Sequence, residues 1–216
     1  KIHRLDWIHT NTRKKYSFDS QKARELFNDA GWNTTKAGFR YNSAGKKLQL
    51  ELMSTAGNRS RELVEQVLQS YWKAVGIDIK IRNQPARVLF GETISKRKFT
   101  GLAMFAWLSA PESLPRTTLH SQSVPTKENN WSGQNYTGFK NQLMDQLIDS
   151  IEIELEKDKR KKLWGQLQRL YAEQLPAIPL YFRANSFIVP KWLKGIKPTG
   201  HMFTSTNWVE DWHVIK

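Results

Sequence analysis

The side chains best suited to contact a small molecule lie between positions 107 and 139, where aromatic and polar residues are interleaved. Trp131 stands among amides and a hydroxyl, namely Asn129, Asn130, Ser132, Gln134 and Asn135, and Tyr136 follows directly. Aromatic rings stack on a ligand, while amides form hydrogen bonds without adding net charge. This pattern predicts a binding surface. The alternative is that Trp131 only pins the loop to its own domain.

Residue patterns typical of catalysis do not occur in the sequence. No two of the five histidines have metal-ligand spacing on a predicted helix: His3, His9, His120, His201 and His213. There is no HExxH, GxSxG, Walker or GxGxxG motif, and no cysteine for thiolate catalysis or zinc. We expect no enzyme activity, no metal and no cofactor. An enzyme of unrecognised type, using the polar loop, is the alternative.

The elements that would position these side chains begin with a strand–helix–strand unit. A helix from Asp19 to Ala30 precedes it and stops at Gly31. Alternating apolar residues predict a strand over Lys47 to Met53 and another from Ile77 to Ile81. Between them, Ser60 to Val75 has helical spacing and an apolar face made of Leu63, Val64, Val67, Leu68, Tyr71, Trp72 and Val75. The two strands should be parallel, with a right-handed crossover.

A further helix, a further strand and a long loop are predicted between residues 87 and 139. A short helix is predicted from Arg87 to Ser95, and Phe99 to Trp107 is apolar enough for a strand covered on both faces. Trp107 closes that strand, and strand ends are where ligand crevices form in α/β sheets. The segment from Leu108 to Phe139 is a long loop of the kind that is usually functional or disordered, and its aromatic residues argue against disorder.

Two helices and a final strand complete the prediction. One helix starts near Asn141 and buries Leu143, Met144, Leu147, Ile148 and Ile151; the next spans Asp158 to Leu175. Ile178 to Val189 has the pattern of a strand, apart from its polar centre. Beyond Pro198 the apolar residues follow neither a helical nor a strand period. The whole predicts one α/β domain.

The charge balance raises a second class of function. The 216 residues contain 34 Lys and Arg against 20 Asp and Glu, a net charge of +14, which suggests nucleic acid or an anionic membrane surface as a partner. The basic runs are short and scattered, and none lies in a nucleic-acid motif. Solvated basic helix faces are the simpler explanation. No run of 18 apolar residues suggests a membrane span.

The order of these features resembles the extracellular solute-binding proteins of family 5, the oligopeptide/dipeptide-type substrate-binding proteins of ABC transporters. Tyr16 to Asp19, Lys22-Ala23 and Ala30-Gly31-Trp32 are similar to that family's Y-x-Y-D-P-x-K-A-x-x-L-L-x-E-A-G-W stretch, with Ser20 for the proline. The similarity extends through Val75 to Ile79, Phe99 to Trp107, Asn141 to Ile148 with Asp145 kept, and Tyr171 to Tyr181. It covers nearly the whole chain in the right order.

The resemblance implies an α/β fold: a single lobe of a periplasmic-binding-protein type II (cluster C) fold, with a mixed sheet, a βαβ unit and packed helices. Residues 1–197 would form the C-terminal ligand-binding lobe, and residues 198–216 would return to an N-terminal lobe that is missing from this chain. An exported, periplasmic or extracytoplasmic location follows, with the signal sequence upstream. The implied partners are a small-molecule or peptide ligand, the permease subunits and the missing lobe; nucleic acid is not expected.

The resemblance also bears on the ligand. Peptide binders of the family often carry an Asp three residues after the strand-ending Trp, where it pairs with the ligand's amino group. Here that position is Ala110, and Glu112 is a possible substitute. A sugar, an N-blocked peptide or another polar solute is therefore as plausible as a free peptide. The predicted ligand-binding residues are Trp107, Ser109, Glu112, Trp131, Gln134, Asn135 and Tyr136.

Overall fold

The computed structural model describes residues 14–108, 110, 113–183, 186–198 and 204–215. Contacts divide the chain into two compact units. The first, here called the sheet unit, comprises Lys15–Ala106 and Gln122–Gly138. The second, here called the helical unit, comprises Lys1–Lys14, Trp107–Ser121 and Phe139–Lys216. The domain boundary at residue 197 stays a prediction.

The sheet unit contains three helices and five strands. Its elements, in chain order, are α1 (Ser20–Asp29), β1 (Thr34–Lys36), β2 (Phe39–Tyr41), β3 (Gln49–Met53), α2 (Arg59–Ala74), β4 (Asp78–Ile81), α3 (Ala86–Val88) with a π-helical continuation (Leu89–Ile94), and β5 (Leu102–Ala103). Asp19 caps α1 by accepting a 2.8 Å hydrogen bond from the Lys22 amide, as its residue type predicts. Asn58 caps α2 in the same way through the Arg61 amide.

The main sheet has the order β4-β3-β5 and is parallel. Leu50 is paired with Ile79 and Leu52 with Leu102. The predicted β3–α2–β4 unit is therefore confirmed, as is the α/β fold class. Antiparallel pairing occurs outside this sheet, between β1 and β2.

The core of the sheet unit lies on one face of β3 and β4, because alternate side chains of each strand point to the same side. Leu48, Leu52 and Ile79 are buried there and pack with Phe27 of α1 and Trp72 of α2. A second cluster on Met53, Leu89 and Ile94 includes Phe105 and Tyr136. Fully burying one such side chain contributes about 1.5–3 kcal/mol.

Arg40 of β2 joins this core to the ends of two helices. It is 6% exposed, and its guanidinium donates to the carbonyls of Val75 at 2.8 Å, Trp32 at 2.7 Å and Arg24 at 3.2 Å. It also donates to the Asn28 side chain at 2.7 Å. The carbonyls near the ends of helices lack partners within the helix and carry partial negative charge. Val75 is the C-cap of α2, Trp32 follows the end of α1, and Arg24 lies inside α1. The buried Arg40 cation is therefore stabilised by carbonyls from both helices and from the chain just beyond α1.

The helical unit is built on two long helices. Its elements are α4 (Arg116–Leu119), α5 (Gln142–Ile153), α6 (Lys157–Gln174), β6 (Leu193–Lys194), a 3₁₀ helix (Ser205–Asp211) and β7 (His213–Val214). Strands β6 and β7 pair antiparallel. Another 3₁₀ turn, at Ser121–Ser123, lies where the chain passes from this unit to the sheet unit. Asn141 caps α5 through a 3.0 Å bond from the Met144 amide. Met144, Ile148 and Ile151 of α5 pack against Trp164 of α6.

Several predictions about apolar segments differ from the structure. The strand expected over Phe99 to Trp107 is limited to β5, with Leu102 and Ala103 only half-buried. The strand expected over Ile178 to Val189 is wrong for residues 178–183 and 186–189, which have no strand assignment. A strand requires a neighbour for its backbone groups, and the described part of the chain offers none here.

Two helices bury less than their patterns predict. On α2, Leu63, Val67 and Tyr71 are about half exposed, whereas Leu68 and Trp72 pack in the core. On α5, Leu143 is 53% exposed. The apolar stripe of each helix is wider than the surface against which it packs, so its outer edge faces solvent.

Candidate functional site

The loop of residues 122–138 has a fixed path because Asn129 bonds to its backbone. The Asn129 side-chain oxygen accepts from the amides of Thr126 at 2.9 Å and Ser132 at 3.1 Å. Its amide group donates to the Val124 carbonyl at 2.9 Å. Asparagine is suited to this role because its short side chain offers donors and an acceptor close to the main chain.

Trp131 lies at the turn of this loop, partly exposed. Its amide donates to the Thr126 carbonyl at 2.7 Å. Trp131 and the preceding Asn130 both have positive φ, 61° and 54°. A left-handed conformation is uncommon for tryptophan, and such strain occurs where surrounding contacts impose it. The loop therefore presents the Trp131 ring at the surface at a cost in backbone energy.

The second half of the loop is attached to its first half at Ser123. The Ser123 carbonyl accepts a 3.0 Å bond from the Asn135 amide. Gly133 lies against the same carbonyl with φ of +101°, and a Cβ there would overlap the Ser123 oxygen. Asn135 itself is fully buried, and its side-chain oxygen accepts from the Thr137 hydroxyl at 3.2 Å. In this structure Asn135 holds the loop together.

Tyr136 belongs to an aromatic cluster next to the carboxyl end of β5. Its ring lies 6.3 Å from Phe105, which is 5.7 Å from Phe90 in an edge-to-face contact. Burial raises the pKa of the Tyr136 phenol, so it stays protonated at neutral pH. The Arg97 guanidinium donates to the Tyr136 carbonyl at 3.1 Å. The carboxyl ends of parallel strands are where crevices form, and this cluster occupies that position in the sheet unit.

The carboxyl ends of β3 and β4 are linked by polar side chains. The Ser54 hydroxyl donates to the Met104 carbonyl at 2.7 Å, and the Ser54 amide donates to the Asn83 side-chain oxygen at 2.8 Å. Thr93 donates to the Gln84 side chain at 2.7 Å. These bonds fix the three strand ends relative to one another, beside the aromatic cluster.

The predicted site residues are distributed over both units. Trp131, Gln134, Asn135 and Tyr136 lie together in the loop of the sheet unit, with Gln134 half-buried. Trp107 belongs to the helical unit and is 50% exposed. Ser109 and Glu112 lie outside the described residues. The role of all seven in ligand binding stays a prediction, including a direct contact by the buried Asn135.

Phe90, Phe105 and Arg97 were not among the predicted residues. Phe105 lies in the segment predicted as a strand covered on both faces, where an aromatic residue does not stand out. Phe90 lies in a short helix without a clear apolar face, and 40% of it is exposed. Arg97 is part of a short basic run and has positive φ. No alternation or spacing in the sequence relates these three residues to the loop.

The helical unit contains a polar cluster of one histidine, one arginine and three acidic residues. His120 is 4% exposed, and its Nε2 lies 3.4 Å from Asp149 and its Nδ1 4.0 Å from Asp145. Arg116 pairs with both Asp149 and Glu152 and lowers the pKa of the Asp149 carboxyl. Asp145 also accepts from the Ser121 amide at 2.9 Å. These contacts connect α4 to α5 and include no nucleophile.

The described residues form neither a metal site nor a membrane-spanning helix. Nowhere in the described ranges do three or more His, Asp or Glu side chains converge as metal ligands would. No described helix combines the length and the apolar character needed to cross a membrane.

Comparison with known proteins gives a family match over more than half of the chain. Residues 3–129 match the model of "Bacterial extracellular solute-binding proteins, family 5 Middle". The oligopeptide-binding protein AppA of Bacillus subtilis is 24% identical over 196 residues, which is 90% of this chain and 35% of AppA. The dipeptide-binding protein of Pseudomonas aeruginosa is 26% identical, covering 81% of this chain and 30% of that protein.

A solved structure also matches this chain. The oligopeptide-binding protein of Thermus thermophilus, in complex with a pentapeptide, is 35% identical and superposes with a TM-score of 0.79. The match covers 88% of this chain and 34% of that one. The chain thus spans about a third of the length of these relatives. It has the fold of the type II periplasmic binding proteins, and it belongs to the bacterial extracellular solute-binding proteins of family 5.

Proposed function

We infer that the full-length protein is the substrate-binding component of an ABC importer and that this chain supplies part of its ligand-binding surface. The observation that carries the proposal is the fixed loop of residues 122–138, which holds Trp131 at the surface and Tyr136 in an aromatic cluster beside the carboxyl end of β5. Such a surface binds by stacking and by hydrogen bonds from side chains without net charge. It is suited to capture and release, which transport requires, and catalysis is not part of the proposal.

Closure between two lobes would complete the site. Proteins that bind by hinge closure divide the ligand contacts between two bodies, and the closed shape is a signal that a partner can recognise. We propose residues 1–197 as the C-terminal lobe and residues 198–216 as the segment that returns to the other lobe. Permease subunits would then be the partner, and the location would be periplasmic or otherwise extracytoplasmic.

Exposed apolar residues in the helical unit support a missing neighbour. Ile178, Phe182 and Ile188 are 61%, 76% and 96% exposed, and Trp192 is 51% exposed. Burial of such side chains is strongly favourable, so a run of them at the surface marks a contact area. Since the relatives are about three times as long, their remaining part is the proposed cover.

The proposed ligand is a peptide or another small polar solute. Matches to an oligopeptide-binding and a dipeptide-binding protein support a peptide. By the resemblance in sequence, Ala110 takes the position of a carboxylate that would pair with a free amino group, with Glu112 as a possible substitute, so a ligand without that group is as plausible as a free peptide. An N-blocked peptide or a sugar would meet the aromatic and amide side chains equally well.

The test is to measure binding by the full-length protein. Native mass spectrometry of protein purified from its host should reveal a co-purified solute, and calorimetry should then give its affinity. Trp131→Ala should weaken binding about tenfold, because a stacked aromatic contact is lost. Tyr71→Ala, which removes another half-exposed ring in the same unit, is the matched control.

Unchanged affinity in Trp131→Ala would remove that residue from the site. Turnover of the solute during the titration, seen as a new mass, would contradict the proposal of a pure binding protein.

A further inference from the structure

The β4 edge of the main sheet, buried at Asp78 and Ile79 and open at Lys80, carries a groove that contains none of the predicted ligand residues. It lies between α2 and β4 and has a volume of about 1010 Å³. Its lining includes Gln66, Gln69, Ser70, Lys73, Lys80 and Arg82. Strand β4 is the last strand of the sheet on this side. A groove beside a terminal strand offers both backbone and side-chain groups to a ligand.

The outward backbone groups of β4 can be identified from its pairing with β3. The amides of Asp78 and Arg82 donate to Leu48 at 3.0 Å and to Leu52 at 2.9 Å, so these residues face β3. Backbone groups alternate in direction along a strand, and those of Ile79 and Ile81 therefore face the groove. An unpaired row of this kind is a template for another strand.

Gln69 partly covers this row. Its side-chain amide donates to the Ile79 carbonyl at 2.8 Å, and Ile79 is only 3% exposed. Ile81, further along, is half-buried and has no such cover. An added strand must displace Gln69, whose side chain can rotate away because it is held by a single neutral hydrogen bond. Gln69 thus competes with any incoming strand for one acceptor.

The charges in the groove favour an acidic ligand. Three basic side chains, Lys73, Lys80 and Arg82, line it against one acidic residue, Asp78. Lys80 pairs with Asp78 at 3.3 Å and Arg82 with Glu51 at 2.7 Å, but both cations are more than half exposed. Exposed ion pairs are weak and exchange partners readily. Lys73 is exposed at the end of α2 and makes no ion pair among the described residues.

A second copy of the chain fits the groove poorly. Antiparallel pairing of two β4 strands about Lys80 would put the two Lys80 side chains opposite each other, and like charges in this position destabilise a sheet. A segment with acidic side chains at alternate positions would instead meet Lys80 and Arg82 on one face. The backbone groups of β4 fit an extended segment, and the basic side chains of the groove fit one with acidic residues.

We propose that the groove between α2 and β4 binds an extended acidic peptide segment of a partner protein, which adds as a strand to β4. This second binding site is independent of the proposed solute site. It would be suited to hold the protein against a partner while the solute site remains free.

The probe for the test is a fluorescein-labelled, N-acetylated peptide of seven alternating Glu and Val residues, with anisotropy as the readout. With full-length protein, Lys80→Glu and Lys73→Glu should each weaken binding about tenfold through charge repulsion. Lys73→Glu breaks no ion pair within the described residues but places a negative charge in the last turn of α2, so Lys73→Gln is measured beside it and should weaken binding to a smaller extent. Lys36→Glu is the matched control, since Lys36 is exposed on β1 outside the groove. Gln69→Ala should strengthen binding about fivefold by freeing the Ile79 carbonyl.

Methylation of the peptide's amide nitrogens at alternate residues separates strand addition from simple charge attraction. The proposal expects the methylated peptide to lose at least about tenfold in affinity, since it can no longer pair with β4. Equal binding of both peptides, or displacement by an oligonucleotide of equal length, would overturn it in favour of a general polyanion surface. Loss of binding in Trp131→Ala would also overturn it, because the peptide would then occupy the solute site.

Discussion

The Asn83 side chain donates a 2.7 Å hydrogen bond to one oxygen of Glu65, a carboxyl group of α2 that is fully buried in the sheet unit. The other carboxyl oxygen, Oε1, has no hydrogen-bond partner within the described structure. Burial raises the pKa of Glu65, and the bond from Asn83 lowers it to a smaller extent. The same Asn83 accepts from the Ser54 amide, so Glu65 is connected to the strand ends beside the candidate site.

The free energy of unfolding should therefore decrease as pH rises, and replacing Glu65 by a neutral residue should remove that decrease. The folded-state pKa of Glu65 lies above its unfolded value of 4.5, so its contribution to stability is fully present below pH 4.5. That contribution is lost as pH rises through the folded-state pKa. Glu65→Gln keeps the shape and the bond from Asn83 without a titrating group. Urea unfolding of both proteins between pH 4 and 9 should show that the wild type loses stability relative to Glu65→Gln.

The alternative is that the buried carboxylate is stable in its ionised form. Then Glu65→Gln would be less stable than the wild type at high pH, which would contradict the prediction. Glu65→Ala provides a second comparison, since it leaves a cavity and an unpaired Asn83 amide. It should destabilise the unit by about 2–4 kcal/mol across the whole pH range.

The path of the 122–138 loop should depend on Gly133. An alanine at this position would bring its Cβ onto the Ser123 carbonyl, and φ of +101° is strained for any residue with a side chain. We expect Gly133→Ala to cost about 1–3 kcal/mol in stability and to weaken solute binding through displacement of Trp131. Thermal unfolding measures the first effect, and calorimetry with the solute measures the second.

Gly91→Ala is the matched control for this change. A methyl group added at Gly91 would meet no atom within 4 Å apart from its chain neighbours and the backbone of its own helix, and the φ of Gly91 is not in the left-handed region. Its effect should be small. A loss of stability as large as that of Gly133→Ala would mean that steric overlap at Ser123 is not the cause.

Arg40 should be among the least replaceable residues of the sheet unit. Arg40→Met keeps most of the side-chain volume but leaves the carbonyls of Val75, Trp32 and Arg24 without their donor. The Val75 and Trp32 carbonyls lie outside the regular helical bonding and would be left unpaired at about 1–3 kcal/mol each, so we expect a loss of at least about 2 kcal/mol in urea unfolding. Arg87→Met, on the exposed side of α3, should have little effect. Equal stability of the two variants would contradict the assignment.

The periodic elements of the sheet unit could be predicted from sequence because local patterns specify them. The alternation at Leu48, Leu50 and Leu52 and the spacing along α2 were sufficient for the βαβ unit. The cap residues Asp19 and Asn141 also behaved as their residue types predict. In these cases the residues that determine the structure are neighbours in the sequence.

Features that depend on distant residues were not predictable in this way. Ile178 to Val189 has a strand pattern, but whether it becomes a strand depends on a partner that the described chain does not supply. The contact of Phe105 with Tyr136 joins positions far apart in sequence, and no alternation or spacing indicates it. The buried Arg40 could not be inferred either, because a single arginine between two aromatics gives no sign of which carbonyls it will meet.

The bonds made by Asn129 have a consequence for how the solute preference of such a protein can change. They go to main-chain atoms, so the course of the loop does not depend on which side chains it displays at the surface. Under the proposed function, single substitutions at loop side chains, for example the half-buried Gln134, can then alter what is recognised while the backbone keeps its path. If the loop binds the solute as proposed, a new solute preference can arise by point mutation without any change in the path of the loop.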